Sequence, residues 1–493
     1  MGLLAFTAIA LTSAHIFEHV PHSEDEVAYI FQAKVFAQNR LAVPTPPYPQ
    51  AFWTPFVVDY QGWRFGKYPP GWPLLLSLGV RLDAPWLVNA LLAPLTLAMI
   101  GWLGAQLYGP EVGLGAAGLG LVTPGFLFLS SSLLSHTASL FWVTLALVAT
   151  VYLTKPGLTR EGPQKNEVRN RHPTCPKTFI AAILAGLALG AAFVTRPFAG
   201  LGVGLALGLF LAALNMRTGL KWIILLGALA GSLPAALLLP WYWWAITGDP
   251  AFNAYLLVWP YDRIGFGPDI GPYGYGLTTA ILNTRLKLTA LGTGLFGWPG
   301  WSNLIFLPIP FLARQASRWD WLWLGILLSL IIVHMFYWSF GGVDGGFPRY
   351  YYEALPGLLL LTARGLQIST AYLARWRPRL GWLPAILAVL LTLYNFIWNL
   401  PPLLIAQKGK YDIRPTPLQV VARANLPQPA LVIIEDVEDW NDFAAPFAAN
   451  SPTLDGPVVY AIGDEADFNQ QLRRQFRERT CWELREERLS CCP

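Results

Sequence analysis

The sequence predicts an all-α polytopic membrane protein. Of its 493 residues, 54% are hydrophobic and only 13% are charged, whereas a soluble domain carries about 25% charged residues. Apolar runs of about 17 or more residues recur along the chain, as spans of a bilayer require. The 22 Trp, 19 Tyr and 27 Phe residues crowd the borders of these runs, as in interfacial aromatic belts. Because the runs are continuous and do not alternate with period two, they predict helices.

About eleven spans are predicted from these runs. In chain order they cover residues 2–20, 85–107, 112–129, 137–154, 178–195, 198–214, 221–245, 288–312, 320–340, 350–368 and 382–404. The first run lacks a basic n-region and a small-residue cleavage site, so we interpret it as a retained span and not as a signal peptide.

Basic residues predict the orientation of these spans. The linkers on one side hold Lys155, Arg160, Lys165, Arg169, Arg171, Lys177, Arg217, Lys221, Arg314, Arg318, Arg375, Arg377 and Arg379. The positive-inside rule makes this side cytoplasmic, so the net charge of +5 reports topology and does not indicate nucleic-acid binding. We therefore expect a multi-pass protein of the cytoplasmic (inner) membrane whose working face is extracytoplasmic. That face comprises the loops 21–84 and 246–287, a turn at 130–136, the glycine-rich turn 341–349 and the C-terminal tail.

The tail differs in composition from the preceding chain, which predicts two domains. Residues 1–404 form the predicted transmembrane domain, and residues 405–493 form a small extracytoplasmic α/β module. In the module, short apolar runs such as 431–435 alternate with helix-like segments such as 466–476. Both a structural cap and an acceptor-binding unit remain open for it. The cysteines match no zinc spacing, are too few for a disulfide framework and receive no role; they are Cys175, Cys481, Cys491 and Cys492.

The first outer loop opens with an acidic cluster, Glu24, Asp25 and Glu26, at the edge of the bilayer. Ser23 and Glu26 fit the capping box S-x-x-E, which predicts an amphipathic helix over residues 24–39. Glu26 therefore has a structural explanation, and Glu24 is expected to be solvated. For Asp25 two interpretations stay open, because a helix dipole favours any carboxylate in the first turn whereas a charge beside hydrocarbon usually has a function.

One face of this helix is polar and carries Asp25, Tyr29 and Gln32 at helical spacing. The opposite face, which we expect to lie on the membrane, consists of Val27, Ile30 and Phe31. Further along the loop, Lys67 and Tyr68 precede Pro69-Pro70-Gly71 and an apolar segment too short to span. This pattern predicts a re-entrant or interfacial helix. Lys67 either snorkels to water or meets a lipid phosphate.

Further polar residues lie at predicted outer ends of spans. His136 begins one span, and Arg196 separates two apolar runs, where it requires an anionic partner. Arg349 precedes Tyr350 and three further aromatic or acidic residues. Because Arg349 and Glu353 are four residues apart, they could simply pair on a helix.

These motifs, taken in order, resemble those of the polyprenyl-phosphate-sugar-dependent glycosyltransferases of the GT-C superfamily. The similarity is greatest to bacterial relatives of the protein O-mannosyltransferases and of the lipid A aminoarabinose transferase. In that family a D-E pair in the first outer loop is followed by a tyrosine and then an alanine, which Tyr29 and Ala33 match. The resemblance covers about residues 2–400 and rests on Asp25-Glu26, K-Y-P-P-G at 67–71, T-R-P at 195–197 and R-Y-Y-Y-E-A-L-P at 349–356.

The resemblance implies a GT-C fold and an inverting sugar transfer at the outer membrane face. The donor would be a polyprenyl-phosphate sugar, and the acceptor a hydroxyl or amine of a glycan, lipid or protein. Asp25 would be the base or an acceptor-orienting carboxylate, and Glu26 would support the loop or touch the acceptor. The residues implied in binding the donor phosphate are Lys67 and Arg196, with Arg349 or His136. Tyr29, Tyr68 and Tyr350 would line the substrate site.

Three other classes of protein remain as alternatives. A transporter or flippase would carry ionisable residues inside several spans and a repeat between halves. A lipid-linked glycan polymerase or ligase would lack the early D-E loop, and a scaffold would leave Arg196 and the acidic loop unexplained. The transfer itself needs no metal or nucleotide, although the carboxylates could bind Mg²⁺ or Mn²⁺.

Overall fold

The computed structural model describes residues 1–154, 176–218 and 222–492, and most of this part is helical. The α-helices are α1 (Gly2–His15), α2 (Glu24–Ala37), α3 (Gly71–Val80), α4 (Trp86–Tyr108), α5 (Pro110–Val122), α6 (Pro124–Ser131), α7 (His136–Thr154), α8 (Pro176–Thr195), α9 (Pro197–Thr218), α10 (Trp222–Thr247), α11 (Tyr255–Val258), α12 (Leu277–Gly294), α13 (Ile309–Leu312), α14 (Arg318–Met335), α15 (Leu355–Trp376), α16 (Leu383–Tyr394), α17 (Leu400–Gln407), α18 (Thr416–Ala424), α19 (Trp440–Ala449) and α20 (Ala466–Gln475). The β-strands are β1 (Val43–Pro44), β2 (Val57–Tyr60), β3 (Trp63–Gly66), β4 (Val343–Asp344), β5 (Phe347–Pro348), β6 (Ala430–Ile434), β7 (Val458–Ile462), β8 (Thr480–Arg485) and β9 (Arg488–Cys491).

Several residues used to predict the orientation lie outside the described part of the chain. These are Lys155, Arg160, Lys165, Arg169, Arg171 and Lys221, together with the side chains of Lys177 and Arg217. Cys175 also lies outside it.

In the described part of the chain, six helical segments are long and apolar enough to cross a bilayer, and the protein is therefore a multi-pass membrane protein. They are Trp86–Tyr108, His136–Thr154, Pro197–Leu214, Ile224–Thr247, Arg318–Met335 and Pro378–Asp412. Helices α5 and α6 are together long and apolar enough for a seventh span, but they meet at an angle of 64°. They count as a span only if this bent pair crosses the membrane as one unit. The bend occurs where Thr123 leaves the helix and Pro124 starts the next one, because proline cannot supply the amide that would continue α5.

Besides the bent segment 112–129, further predicted spans differ from the helices that form. The predicted span 288–312 is wrong as a single helix, because α12 ends at Gly294 and a 3₁₀ turn follows at Gly300–Leu304. Asn303 stabilises the break, since its Oδ1 accepts the amides of Phe296 at 2.7 Å and Trp298 at 3.2 Å. The first predicted span, residues 2–20, is helical only to His15.

Glycines allow two membrane helices, α8 and α10, to touch backbone to backbone. A Cβ at Gly186 would lie 1.8 Å from the carbonyl oxygen of Ala228, and one at Gly231 would lie 2.2 Å from that of Ile183. Any larger residue would force the helices apart, as at other small-residue interfaces in membranes.

The first long loop, residues 21–84, folds over the ends of the membrane helices. It contains α2, an antiparallel sheet of order β1-β3-β2, and the short apolar helix α3. Helices therefore form in both predicted places, while a re-entrant or interfacial position of α3 stays a prediction. A Cβ at Gly71 would lie 2.7 Å from the backbone of Val194 and Thr195, so glycine brings the Lys67 turn against the end of α8.

The C-terminal residues form a four-stranded sheet with helices α18, α19 and α20 alongside it. The strand order is β7-β6-β8-β9, in which β6 is parallel to β7 and β8, and β9 is antiparallel to β8. Whether a domain boundary falls at residue 404 remains a prediction. Helix α17 continues past this point to Gln407.

The apolar face of α2 contacts the C-terminal sheet unit instead of the membrane, which corrects the expectation for two of its residues. Val27 and Phe31 are buried in one cluster with Phe443 and Phe447 of α19, and the rings of Phe31 and Phe447 are 5.7 Å apart. Ile30 is buried with the membrane helices. The sequence did not indicate the apolar surface of α19 that covers α2, because the tail around it is rich in charged residues.

Cys481 and Cys492 form a disulfide, so giving these two cysteines no role is wrong. The β8–β9 hairpin pairs Trp482 with Cys491, which places Cys481 opposite Cys492. Cys491 is a free, exposed thiol.

Candidate active site

Asp25 stands in the first turn of α2 with both carboxylate oxygens engaged. Oδ1 accepts a short hydrogen bond from the hydroxyl of Tyr68. Oδ2 lies 3.3 Å from Nη1 of Arg349. The side chain is still 25% exposed, so a ligand can reach the oxygens while their direction is fixed.

Tyr68 reaches Asp25 from the turn that precedes α3. Its ring centroid lies 4.6 Å from that of Tyr29, and the Tyr29 hydroxyl lies 3.2 Å from Oγ of Ser135. The predicted substrate residues Tyr29 and Tyr68 are therefore both adjacent to Asp25. Gln32, the next residue on this face, instead fastens the loop sheet, since its Oε1 accepts the amide of Gly66 at 2.9 Å.

Arg349 links three segments of the chain around Asp25. Its Nε lies 3.4 Å from Oδ2 of Asp344, and Nζ of Lys410 lies 2.9 Å from Oδ1 of the same carboxylate. Burial opposes ionisation of Asp344, but Arg349 and Lys410 outweigh it and lower the pKa of its carboxyl. The alternative in which Arg349 pairs with Glu353 is wrong, because the intervening 3₁₀ helix Arg349–Ala354 turns the two side chains toward different partners.

Glu26 is buried and anchors α2 to the membrane helices. Its Oε2 accepts the amide of His22 at 2.6 Å, and its Oε1 accepts the amide of Leu133 at 2.6 Å, between α6 and α7. Burial raises the pKa of Glu26 to about 7, although the two amides oppose the shift. The predicted cap forms, with Ser23 Oγ accepting the amide of Glu26 at 3.4 Å. In a complete capping box the Glu26 carboxylate would accept the amide of Ser23, but here it accepts the amide of His22 instead.

Asp25 and Arg349 line an open, polar cavity. Its volume of about 80 Å³ is large enough for several water molecules. Glu24 also lines it and is half-buried, with a pKa raised first by burial and then by Asp25. The expectation that Glu24 is solvated is therefore wrong. The other charged or imidazole groups lining the cavity are His22, Glu26, Asp344 and Lys410.

Lys67 is enclosed by aromatic rings on the other side of Tyr68. Its ammonium lies 3.3 Å from the ring centroid of Phe56 and 4.5 Å from that of Trp259. The residue is only 2% exposed, so the snorkelling interpretation is wrong. Burial lowers the pKa of Lys67 to about 8, although Asp25, Asp262 and Glu24 oppose the shift. Within the described residues, it forms no ion pair.

Arg196 has the anionic partner that its setting requires. Its Nε lies 3.4 Å from Oε1 of Glu353, whose side chain is fully buried. His136 is buried nearby, with its ring 6.2 Å from that of Tyr352. Neither ring nitrogen of His136 has a hydrogen-bond partner in the described residues. His136 and Arg196 do not line the cavity beside Asp25.

Tyr350 connects the site to groups that the motifs did not indicate. Its ring stacks on His334 at 4.6 Å. The ammonium of Lys287 lies 4.9 Å from the Tyr350 ring and is buried without an ion pair among the described side chains. Asp262 is buried between Tyr337 and Trp338. Lys287 and Asp262 both lie in the predicted loop 246–287, where a charged residue is ordinary and gives no signal of a site.

The carboxylates of the site fit a divalent cation poorly. Metal ions favour several oxygen ligands without a competing cation, yet Asp25 and Asp344 both face Arg349. In the described ranges, no three acidic, histidine or cysteine side chains are grouped closely enough to hold a metal ion.

Comparison with known proteins identifies a fold. Neither protein-family profiles nor curated proteins match the sequence. The crystal structure of apo ArnT from Cupriavidus metallidurans matches with a TM-score of 0.58 at 13% identity, covering 98% of this chain and 91% of that one. ArnT bound to undecaprenyl phosphate gives 0.56 at 12% identity, with 98% and 92% covered. An Archaeoglobus fulgidus oligosaccharyltransferase is more distant, with a TM-score of 0.46 at 14% identity over 92% of this chain and 64% of that one. This chain therefore has the membrane fold of ArnT, which is the GT-C fold.

Proposed function

We propose that this protein transfers a sugar from a polyprenyl-phosphate donor to an acceptor hydroxyl or amine at the outer membrane face. The observation that carries the proposal is the setting of Asp25. Tyr68 and Arg349 orient its carboxylate, which opens on a polar cavity. Beyond Tyr68, Lys67 is a buried cation with no anionic partner in the described residues.

In this reaction Asp25 is the base or the residue that orients the acceptor. The acceptor oxygen or nitrogen attacks the anomeric carbon, and its proton passes to a free lone pair of the Asp25 carboxylate. The bond from the anomeric carbon to the phosphate oxygen breaks, and the phosphate keeps the electron pair. Attack opposite the leaving group inverts the configuration. Tyr68 and Arg349 restrict the carboxylate to one direction, which reduces the cost of reaching the reactive geometry.

The donor phosphate requires a positive group that the protein does not already neutralise. Lys67 fits this requirement, because a buried ammonium gains most from a bound anion. Arg349 is shared between Asp25 and Asp344, and Arg196 faces Glu353. We therefore assign Lys67 as the principal phosphate ligand. Arg349 compensates charge beside Asp25, while Arg196 and His136 remain candidates for a supporting role.

Glu26 supports the loop in this proposal and does not touch the acceptor. Both of its oxygens already accept backbone amides, and the side chain is 2% exposed. A carboxylate used in this way holds the N-terminus of α2, and with it Asp25, at a fixed place above the membrane helices.

The outer membrane face is supported by two independent features. The basic linkers predict that the first loop is extracytoplasmic, and disulfides persist in oxidising compartments. The Cys481–Cys492 disulfide belongs to the sheet unit that packs on the first loop. A separate module over residues 405–493 and a location in the cytoplasmic membrane remain expectations. ArnT was crystallised with undecaprenyl phosphate, which makes this lipid the first donor carrier to test.

The test is transfer from a panel of undecaprenyl-phosphate sugars, each radiolabelled in the sugar, to membrane extracts by purified protein. We expect label transfer by the wild type and its loss in Asp25→Asn, with both proteins eluting alike in size-exclusion chromatography. Asp83→Asn is the matched control, because Asp83 is exposed and its φ of 52° suits asparagine. Addition of EDTA or of Mg²⁺ and Mn²⁺ in the same assay tests metal dependence.

Two results would contradict the proposal. Near-normal turnover by Asp25→Asn would remove Asp25 from the catalytic role. Absence of transfer from every donor, together with movement of a lipid-linked sugar across vesicle membranes, would indicate a flippase or transporter.

A further inference from the structure

Next to Lys67, the second outer loop holds a carboxylate with an unused oxygen. Asp262 is 3% exposed. Its Oδ1 accepts hydrogen bonds from the Tyr337 hydroxyl at 2.8 Å and from Nε1 of Trp338 at 2.9 Å. Its Oδ2 has no hydrogen-bond partner among the described residues. A buried carboxylate oxygen without a donor is costly, so this site is built for a hydrogen-bond donor.

Aromatic rings surround this carboxylate. The rings of Trp259 and Tyr261 are stacked at 6.2 Å with an interplanar angle of 9°. Trp338 meets Trp259 edge-on at 5.9 Å and Tyr261 at 5.4 Å. All three residues are half-buried, so part of each remains accessible. An interfacial aromatic belt explains tryptophans at this level, but it does not explain a buried acid in their midst.

The loop that carries Asp262 is fastened to the end of α14. The amide of Gly265 donates to the carbonyl of Phe336 at 2.8 Å, and Ile264 forms an isolated β-bridge with Tyr337. The Tyr275 hydroxyl donates to the carbonyl of Met335 at 3.0 Å. Asp262 is therefore held in place before any ligand arrives, as a binding site requires.

Lys67 and Asp262 are connected through two tryptophans, because the ring of Trp259 contacts that of Trp338, whose Nε1 donates to Asp262. The Lys67 ammonium lies 4.5 Å from the centroid of the Trp259 ring, and Asp262 is close enough to raise the pKa of Lys67. Yet the two charges form no ion pair in the described part of the chain. A cation without an ion pair and a carboxylate oxygen without a donor, as far as the described residues show, thus lie on either side of Trp259 and Trp338.

We propose that Asp262, Trp259 and Trp338 form the subsite for the sugar of the lipid-phosphate donor. A glycosyl phosphate has an anionic group for Lys67 and hydroxyl or amine hydrogens for Oδ2 of Asp262. The apolar C–H face of its ring can pack on Trp259. Asp262 is a specificity-determining residue in this assignment, whereas Asp25 acts on the acceptor side. The assignment rests on the proposed function, because it takes Lys67 as the phosphate ligand.

The test compares two ligands of the full-length protein in detergent: undecaprenyl phosphate alone, and undecaprenyl phosphate carrying glucose, mannose, galactose, N-acetylglucosamine or 4-amino-4-deoxyarabinose. The variant is Asp262→Asn. Its carbonyl oxygen can still accept from Tyr337 and Trp338, while its NH₂ group replaces the free acceptor. Asp262→Ala is avoided because it leaves both donors without a partner.

For at least one sugar, we expect the wild type to bind the glycosylated lipid more tightly than undecaprenyl phosphate alone. Asp262→Asn should weaken binding of that lipid by about tenfold or more. Its affinity for undecaprenyl phosphate should change by less than about twofold. Trp259→Ala should act in the same direction. Trp53→Ala, which removes a 52% exposed tryptophan of the first loop, should change neither affinity.

The outcomes separate the two proposals. If wild-type protein binds no polyprenyl phosphate in any form, the proposed function fails. If it binds them but Asp262→Asn weakens both ligands equally, or weakens neither, the sugar subsite is wrong while the proposed function stands.

Discussion

Nε of Arg196 lies 3.4 Å from Oε1 of Glu353, and these residues begin different membrane segments. Glu353 is fully buried and Arg196 is 12% exposed, so each charge compensates the other away from water. The sequence suggested that the Arg196 guanidinium binds a phosphate. Its ion pair with Glu353 is a sufficient structural reason for a buried arginine at this position.

Removing one charge of this pair should destabilise the protein more than removing both. Arg196→Gln or Glu353→Gln leaves the other charge buried and unpaired, which typically costs about 3–5 kcal/mol. The double variant should recover most of the thermal stability of the solubilised protein. It should also bind undecaprenyl phosphate like the wild type. Recovery of stability with a loss of lipid binding would instead assign Arg196 to the donor site.

Replacing Glu26 should lower the stability of the protein but not its turnover. Glu26→Gln keeps one acceptor but turns an NH₂ group toward one of the two backbone amides, which should cost about 1–3 kcal/mol of stability. Turnover per folded molecule should remain, because Asp25 keeps Tyr68 and Arg349. Thermal unfolding and the transfer assay measure these effects separately. A loss of turnover at unchanged stability would show that Glu26 touches the acceptor.

Local sequence signals predicted the parts of the site that depend on neighbouring residues. Ser23 and Glu26 are three residues apart and cap α2 as expected, and the Pro-Pro-Gly turn starts the short helix α3. These features need only backbone amides within one turn of helix or the fixed φ of proline. The apolar run lengths predicted membrane helices in the same way, whereas the GT-C fold came from the resemblance to a family.

The contacts that define the site join distant segments, and spacing alone does not reveal them. Asp25 meets Arg349 across 324 residues, and Glu26 meets Leu133 across 107. The apolar face of α2 was assigned to lipid because the sequence shows amphipathicity but not which apolar surface will cover it. The disulfide was missed because it depends on the register of the β8–β9 hairpin.

Binding of undecaprenyl phosphate should weaken as the pH rises above about 8. Burial lowers the pKa of Lys67 to about 8, so the free protein progressively loses the cation that attracts the phosphate. The phosphate itself is fully ionised there, since its second pKa is about 6. Affinity should fall by up to about tenfold per pH unit, measured with undecaprenyl phosphate in detergent.

Unfolding of the protein at high pH does not explain the expected loss of lipid binding, because the titration of Lys67 changes stability in the opposite direction. The pKa of Lys67 in the folded protein lies below the ordinary lysine pKa of 10.5, so the unfolded chain binds more protons between about pH 8 and 10.5. This group's contribution to stability therefore rises with pH across that window. Lys67→Arg, which keeps its charge, should retain binding above pH 8 better than the wild type. Lys67→Met should bind weakly at every pH, and an unchanged profile in Lys67→Met would remove Lys67 from the phosphate site.

The contact between Lys34 and α19 should hold the C-terminal sheet unit on the first loop. Lys34 Nζ donates to the carbonyls of Ala448, Ala449 and Asn450 at the end of that helix, where a cation also suits the helix dipole. Lys34→Met should destabilise this contact by about 1.5–3 kcal/mol. Amide hydrogen exchange in residues 443–449 should then accelerate about tenfold or more. Exchange in the membrane helices should not change.

Lys408→Met is the matched control. Lys408 is exposed directly after α17, where the chain leads into the sheet unit, so its replacement should alter no exchange rate. The same variants distinguish the two roles considered for the tail. If the unit is a structural cap, loosening it in Lys34→Met should also raise exchange in α2, whose Val27 and Phe31 it covers. Faster exchange confined to α19, with a higher KM for the acceptor and unchanged donor affinity, would instead indicate that the unit binds the acceptor.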